Sequence, residues 1–138
     1  MLQFLEELCA LDGPSGCEDN VRDYIREKAA PYSDELREDP MGNLMVLRRG
    51  KGFCEKPLMV CAHMDEVGVI VKRITEEGMI KFGFVGGVDP RVVIGRKIRF
   101  TNGVRGVVGI KAVHLTTPAE RENMPKTKDL YIDIGASG

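Results

Sequence analysis

Apolar and polar positions change their period once along this chain, and the change predicts its organisation. Over residues 1–11, Leu2, Leu5, Leu8, Cys9 and Ala10 recur at spacings that suit a helix with one buried face. Asp12-Gly13-Pro14-Ser15-Gly16 ends that pattern, because glycine suits the position after a helix and proline cannot continue one. Ser15-Gly16-Cys17-Glu18 has the form of a capping box. It predicts a second helix over 17–30, with Val21, Tyr24, Ile25 and Ala29 inward and Pro31 as its stop. Residues 35–38 and 43–47 predict two short strands around the turn residues Asp39-Pro40-Met41-Gly42-Asn43. A polar, glycine-containing loop leads into Leu58-Met59-Val60-Cys61-Ala62. This apolar run predicts a strand buried on both faces, central to an α/β sheet. Helix, helix, hairpin and buried strand together describe an α/β layer.

Beyond Glu66 the period shortens. Strands are predicted at 67–74, 79–85, 96–100, 104–110 and 130–134, divided by Glu76-Glu77-Gly78, Gly86-Gly87 and Asn102-Gly103. Asn102-Gly103 is the strongest hairpin signal in the chain. With little helix beyond a turn at 118–123, this half predicts a small β-barrel or sandwich, and a boundary falls at about residues 66–68. The first 65 residues predict too few elements to cover both faces of a parallel sheet, and the last strand is followed by small residues alone. The pattern predicts a truncated chain, the opening portion of a longer protein.

Composition narrows the class without naming it. A chain of 138 residues makes one average domain or two small ones, and 43% hydrophobic with 30% charged residues is ordinary for a soluble protein. A net charge of −1 offers no electrostatic reason for nucleic acid or an anionic membrane as partner. Arg48-Arg49 and Arg96-Lys97 are short pairs that read as loop or strand ends. The N-terminus turns acidic without a basic region, and no apolar run approaches the ~18 residues of a membrane span. Cys9, Cys17, Cys54 and Cys61 form no C-x-x-C pair and are expected to be reduced, mostly buried thiols of a cytoplasmic protein.

Candidate chemistry concentrates where the apolar run stops. His63, Asp65 and Glu66 occupy three of four consecutive positions there, and ligands of α/β sheets gather beyond the carboxyl ends of strands. Neutral imidazole is the commonest metal ligand, and it usually has a carboxylate on its other nitrogen. Residues two apart in extended chain point the same way, so Asp65 can serve His63. A strand-end histidine is as often an ordinary polar group of a sheet edge; the small Ala62 and the crowding of ionisable groups favour the chemical reading. Glu66 either lines the same site or opens the next strand in solvent, and His114 reads as a loop residue that could face the site. Asp89, Asp129 and Asp133 read as solvated turn or strand positions, and Gly13-Pro14-Ser15-Gly16 as a helix–helix connection. No strand precedes that loop and it carries no phosphate-binding motif.

An ordered set of motifs then resembles a known family. Gly13-Pro14-Ser15-Gly16-Cys17-Glu18, Asp39-Pro40-Met41-Gly42-Asn43-Leu44, Ala62-His63-Met64-Asp65-Glu66-Val67-Gly68, Ile94-Gly95-Arg96-Lys97, Gly106-Val107-Val108-Gly109 with His114-Leu115, and Lys128-Asp129-Leu130-Tyr131-Ile132-Asp133-Ile134-Gly135-Ala136-Ser137 span nearly the whole chain. In this order they resemble the N-terminal part of the tetrahedral, deblocking or glutamyl-type metallo-aminopeptidases of clan MH. Gly138 departs from the serine the family tends to carry there.

The resemblance implies an α/β catalytic domain, here in part over 1–66, and an inserted β-rich dimerisation domain, here in part over 67–138. It implies two divalent ions, zinc or cobalt, a peptide substrate, and dimers that assemble into hollow particles. His63 is implied as a ligand of one metal, and Asp65 as the catalytic carboxylate that orients it. A bridging aspartate, a glutamate, a further aspartate, a C-terminal histidine and a Glu-Glu general base are implied beyond Ile134, with no counterpart in these residues. The expected function is thus the N-terminal portion of a metal-dependent aminopeptidase, inactive as this chain alone. The alternative is a non-catalytic dimerisation or interaction module. A glycosidase needs two carboxylates flanking the bond it cleaves, and no pair is singled out. Three tyrosines and no tryptophan give little for a sugar to stack on.

Overall fold

The computed structural model describes residues 2–52, 56–118 and 123–136, and the chain divides into two compact units, Met1–Glu66 and Val67–Gly138. In the first, α1 (Leu2–Ala10) and α2 (Asp19–Ala29) precede a hairpin of β1 (Glu35–Glu38) and β2 (Leu44–Leu47). The second helix starts two residues later than its sequence predicts. The expected capping box does not form: Glu18 takes the N-cap position without a side-chain cap and instead accepts from Gly16 N at 2.7 Å. Pro31 does not end the helical path either. It sits at the start of a 3-10 turn (Ala30–Tyr32) that continues from α2, where its missing N–H costs nothing.

Val21 is the buried residue of α2. Polar side chains make the remaining ties. Tyr24 donates its hydroxyl to Glu7 on α1, while Arg22 (3.1 Å) and Arg26 ion-pair with Glu38 on β1. No described residue of α1 is fully buried: Leu8 is half-buried, and Leu2, Phe4 and Leu5 are exposed. Cys9, Cys17 and Cys61 are free and exposed, against the expectation of buried thiols; Cys54 lies outside the described residues.

The largest departure is at residues 58–62. The expected buried strand is an extended segment with no ladder among the described residues, and Leu58 and Val60 are 91% and 86% exposed. An apolar run specifies what a strand needs on its two faces. It does not supply the neighbouring strands, and among the described residues the first unit's only sheet is the two-stranded β1–β2.

The second unit follows its alternation closely. Strands β3 (Gly68–Ile74), β4 (Ile80–Val85), β5 (Lys97–Arg99), β6 (Arg105–Ile110) and β7 (Leu130–Asp133) form one curled antiparallel sheet in the order β3-β4-β7-β6-β5. Strand density predicts a small barrel or sandwich; among the described residues the sheet ends at β3 and β5, which do not pair with each other. Ile80, Phe82, Val108, Leu130 and Ile132 form the core, and Val69, Phe84, Ile98 and Ile110 pack against it. Two residues apart on each strand, they share one face. A one-turn helix, α3 (Pro90–Val93), precedes β5. The turn expected at 118–123 lies mostly outside the described residues.

Three hairpins close in the same way. Gly42, Gly78 and Gly103 each adopt positive φ, at 83°, 80° and 86°. Each donates its N–H to the carbonyl three residues earlier: Asp39, Thr75 and Phe100. That is a type I turn followed by a left-handed glycine, a three-residue hairpin loop whose twist matches the strands. Asn102 itself has no positive φ, so Asn102-Gly103 forms this loop rather than the two-residue type I′ turn.

Candidate functional site

Two segments of the first unit meet at the candidate site. The loop after α1 carries Gly13, Pro14 and Ser15, and the extended segment after Val60 carries His63, Met64, Asp65 and Glu66. They join as parallel strands do at a single bridge, Pro14 to Glu66. Glu66 N donates to Gly13 O at 2.8 Å and Ser15 N to Glu66 O at 3.2 Å. The Glu66 side chain adds a third bond, its Oε1 accepting from Gly13 N at 3.2 Å. Of the two roles open to Glu66 in the sequence, it thus takes neither in full: its side chain is engaged in holding the loop.

Gly13 makes the approach feasible. A Cβ there would lie 2.6 Å from Val21 Cγ2, so only glycine lets the loop lie against α2 at this point. Buried Val21 and the Met64 carbonyl flank it. The loop is the helix–helix connection expected from its composition, and also the support on which the 63–66 segment rests.

His63 and Asp65 form the site's central contact. The His63 Nδ1 lies 3.0 Å from Asp65 Oδ1 and 3.0 Å from the Asp65 backbone carbonyl. Both atoms are acceptors, so in the neutral ring this geometry favours the proton on Nδ1 and the lone pair on Nε2. The ring is 86% exposed, which leaves that lone pair accessible. Asp65 uses its second oxygen too: Oδ2 accepts the hydroxyl of Ser15. The Ser15 hydroxyl first, and the His63 imidazole after it, hold the Asp65 carboxyl below its ordinary range against the opposing effect of partial burial.

This arrangement suits one metal ligand with its orienting carboxylate. It does not make a cage. Among the described residues no three His, Cys, Asp or Glu side chains converge to hold an ion, and a catalytic zinc normally takes three protein ligands. The donor set fits one coordination position and no catalytic step can be drawn through it alone.

The other candidates are placed elsewhere. His114 is exposed in a 3-10 turn (Val113–Leu115) of the second unit. Asp89 caps α3, accepting from Arg91 N at 2.9 Å, and the Arg91 guanidinium beside it lowers its carboxyl to about 2. Asp133 is exposed on β7. Asp129 is not on that strand as expected but in the 3-10 turn before it, where its carboxylate accepts from Lys126 N at 3.0 Å. Ser15 was not singled out by sequence as a site residue. In the sequence its hydroxyl reads as a helix cap, and no local signal distinguishes that from a partner 50 positions away.

No helix among the described residues is long and apolar enough to cross a membrane. Residues 42–138 match the M42 glutamyl aminopeptidase family. The lysyl aminopeptidase of Pyrococcus furiosus is 34% identical over 140 aligned positions, covering 98% of this chain and 40% of the relative. Among solved structures, a TET aminopeptidase of the marine sediment archaeon Thaumarchaeota archaeon SCGC AB-539-E09 superposes with a TM-score of 0.87 at 33% identity, over 99% of this chain and 39% of that one. The TET1 peptidase of Pyrococcus horikoshii, which can assemble into a tetrahedron or a large octahedral shell, superposes with a TM-score of 0.79 at 33% identity, over 99% of this chain and 41% of its own. The chain spans about two-fifths of the length of the curated relatives it matches. The match over residues 42–138, about 70% of the chain, shows that the chain belongs to the M42 glutamyl aminopeptidase family.

Proposed function

We propose that this chain is the N-terminal portion of a metal-dependent aminopeptidase that releases N-terminal residues from peptides, with His63 as a ligand of one metal and Asp65 as the carboxylate that orients it. The observation that carries the reading is the His63–Asp65 geometry: Nδ1 lies 3.0 Å from two acceptors of one residue, on a ring that is exposed. M42 aminopeptidases are metal-dependent. A pair of divalent ions, zinc or cobalt, supplies Lewis acidity toward the scissile carbonyl and the attacking water when bound. What these residues do is narrower. Asp65 fixes the imidazole's tautomer and direction, and the Gly13–Ser15 loop fixes Asp65. The remaining ligands and the general base belong to other parts of the protein, so the isolated chain is inactive in this reading.

Residues 1–66 are assigned to the catalytic α/β domain and 67–138 to an inserted dimerisation domain. Support comes from the division of the chain at Glu66 and from the second unit's own core. That same core favours the second reading, a non-catalytic β-rich pairing module, since a unit with its own core can fold without the first.

The test joins this chain to the remaining length of an M42 aminopeptidase and measures release of N-terminal residues from amino-acid anilides with zinc or cobalt. Activity that His63→Ala abolishes and that the isolated chain lacks supports the reading. Activity that survives His63→Ala overturns the ligand assignment, and turnover by the isolated chain overturns its inactivity.

A further inference from the structure

Asp65 is gripped from both sides, once by an imidazole and once by a serine hydroxyl. Its Oδ1 faces His63 Nδ1 while its Oδ2 takes the hydroxyl of Ser15. Without Ser15 the carboxylate is free to turn about its last torsion, which is broad for aspartate. Rotation would carry Oδ1 away from the imidazole. Ser15 resists this because its own backbone is pinned: its N–H donates to Glu66 O at 3.2 Å, on the residue adjacent to Asp65. Gly13, two positions earlier, is bonded to Glu66 by both backbone and side chain, and Val21 Cγ2 leaves no room for a Cβ there. The hydroxyl is thus held by a rigid loop, not by a mobile one.

We infer that Ser15 is a positioning residue for the site: its hydroxyl locks the Asp65 carboxylate in the rotamer that keeps the His63 proton on Nδ1 and the Nε2 lone pair outward. The inference rests on the reading of His63 as a ligand, and the chain is Ser15 to Asp65 to His63. Ser15 touches neither substrate nor reacting atoms. Its effect is carried by orientation, and a donor of similar geometry replaces it.

The experiment uses the 138-residue chain labelled with nitrogen-15 at histidine, above the pH at which imidazole is charged. The side-chain nitrogen shifts of His63 report the ratio of Nδ1–H to Nε2–H tautomers. The wild type is expected to be mainly Nδ1–H. Ser15→Ala should lower that ratio about threefold or more, the scale of one modest hydrogen bond lost, while Ser15→Thr restores it. Where Ser15→Ala does not fold, Ser15→Cys fills the same volume with a weaker donor and should lower the ratio in the same direction. An unchanged ratio in the Ala or Cys variant, or a wild type that is mainly Nε2–H, overturns the inference. Added cobalt separates this from the ligand reading. If cobalt leaves His63 unperturbed in the wild type while Ser15→Ala still shifts the tautomer, the positioning role stands and the metal assignment falls.

Discussion

His63 Nδ1 stands 3.0 Å from two acceptors that both belong to Asp65, its carboxylate Oδ1 and its backbone carbonyl. Redundancy of this kind has a measurable consequence. Asp65→Ala removes the carboxylate and leaves the carbonyl, so the imidazole loses part of its restraint rather than all of it. Cobalt binding at His63 should weaken by about 10- to 100-fold, the usual scale for an orienting partner, and His63→Ala should abolish it. Cobalt-induced shifts of the backbone amides of residues 62–66, read by nuclear magnetic resonance across a titration, check both. Equal losses in the two variants would make Asp65 more than an orienting group.

A contrast between two glycines of β6 tests the packing of the sheet. A Cβ on Gly106 would meet Ile132 Cγ2 at 2.5 Å and the Asp133 backbone oxygen at 2.8 Å, whereas the nearest atoms to a Cβ on Gly109 all belong to the Tyr131 side chain. Backbone cannot yield and a ring can swing. Gly106→Ala should therefore destabilise the second unit by about 1–3 kcal/mol, the range for overpacking, and Gly109→Ala by distinctly less. Urea unfolding of the two variants decides the order.

Asp89 carries a pH signature. Its carboxyl is lowered from 3.8 to about 2, first by the Arg91 side chain and then by the Arg91 N–H it caps. A carboxylate depressed in the folded state stabilises fully above its unfolded value. Its contribution is lost as pH falls from about 4 toward 2. A titration following the Arg91 amide should show the cap persisting through pH 3 and releasing near pH 2. Asp89→Asn keeps an acceptor at the N-cap and should remove that transition.

Residues 58–60 yield a prediction about surface rather than stability. Because Leu58 and Val60 are 91% and 86% exposed, replacing both with Thr should leave the unfolding free energy within about 0.5 kcal/mol of wild type. Self-association should fall, since an exposed apolar segment of extended chain is a ready template for pairing. Light scattering against concentration checks this, and a large loss of stability would show the segment to be buried.

Legibility in the sequence follows the range of the interactions. The strands of the second unit were readable because alternation and turn glycines act between near neighbours: Ile80, Phe82 and Phe84 share a face by spacing alone, and Gly78 and Gly103 close their hairpins within five residues. His63 and Asp65 were readable as a pair for the same reason, being two positions apart in extended chain.

What tertiary structure decided involves partners far along the chain. Ser15 had the local credentials of a helix cap, yet its hydroxyl goes to Asp65, because the Gly13 loop is drawn to Glu66 across more than fifty positions. Leu58 and Val60 had the composition of a buried strand, yet burial is a property of neighbours, and none lies beside them among the described residues. Residue type sets which groups can donate, accept or be excluded from water; only the folded path of the chain sets which of them meet.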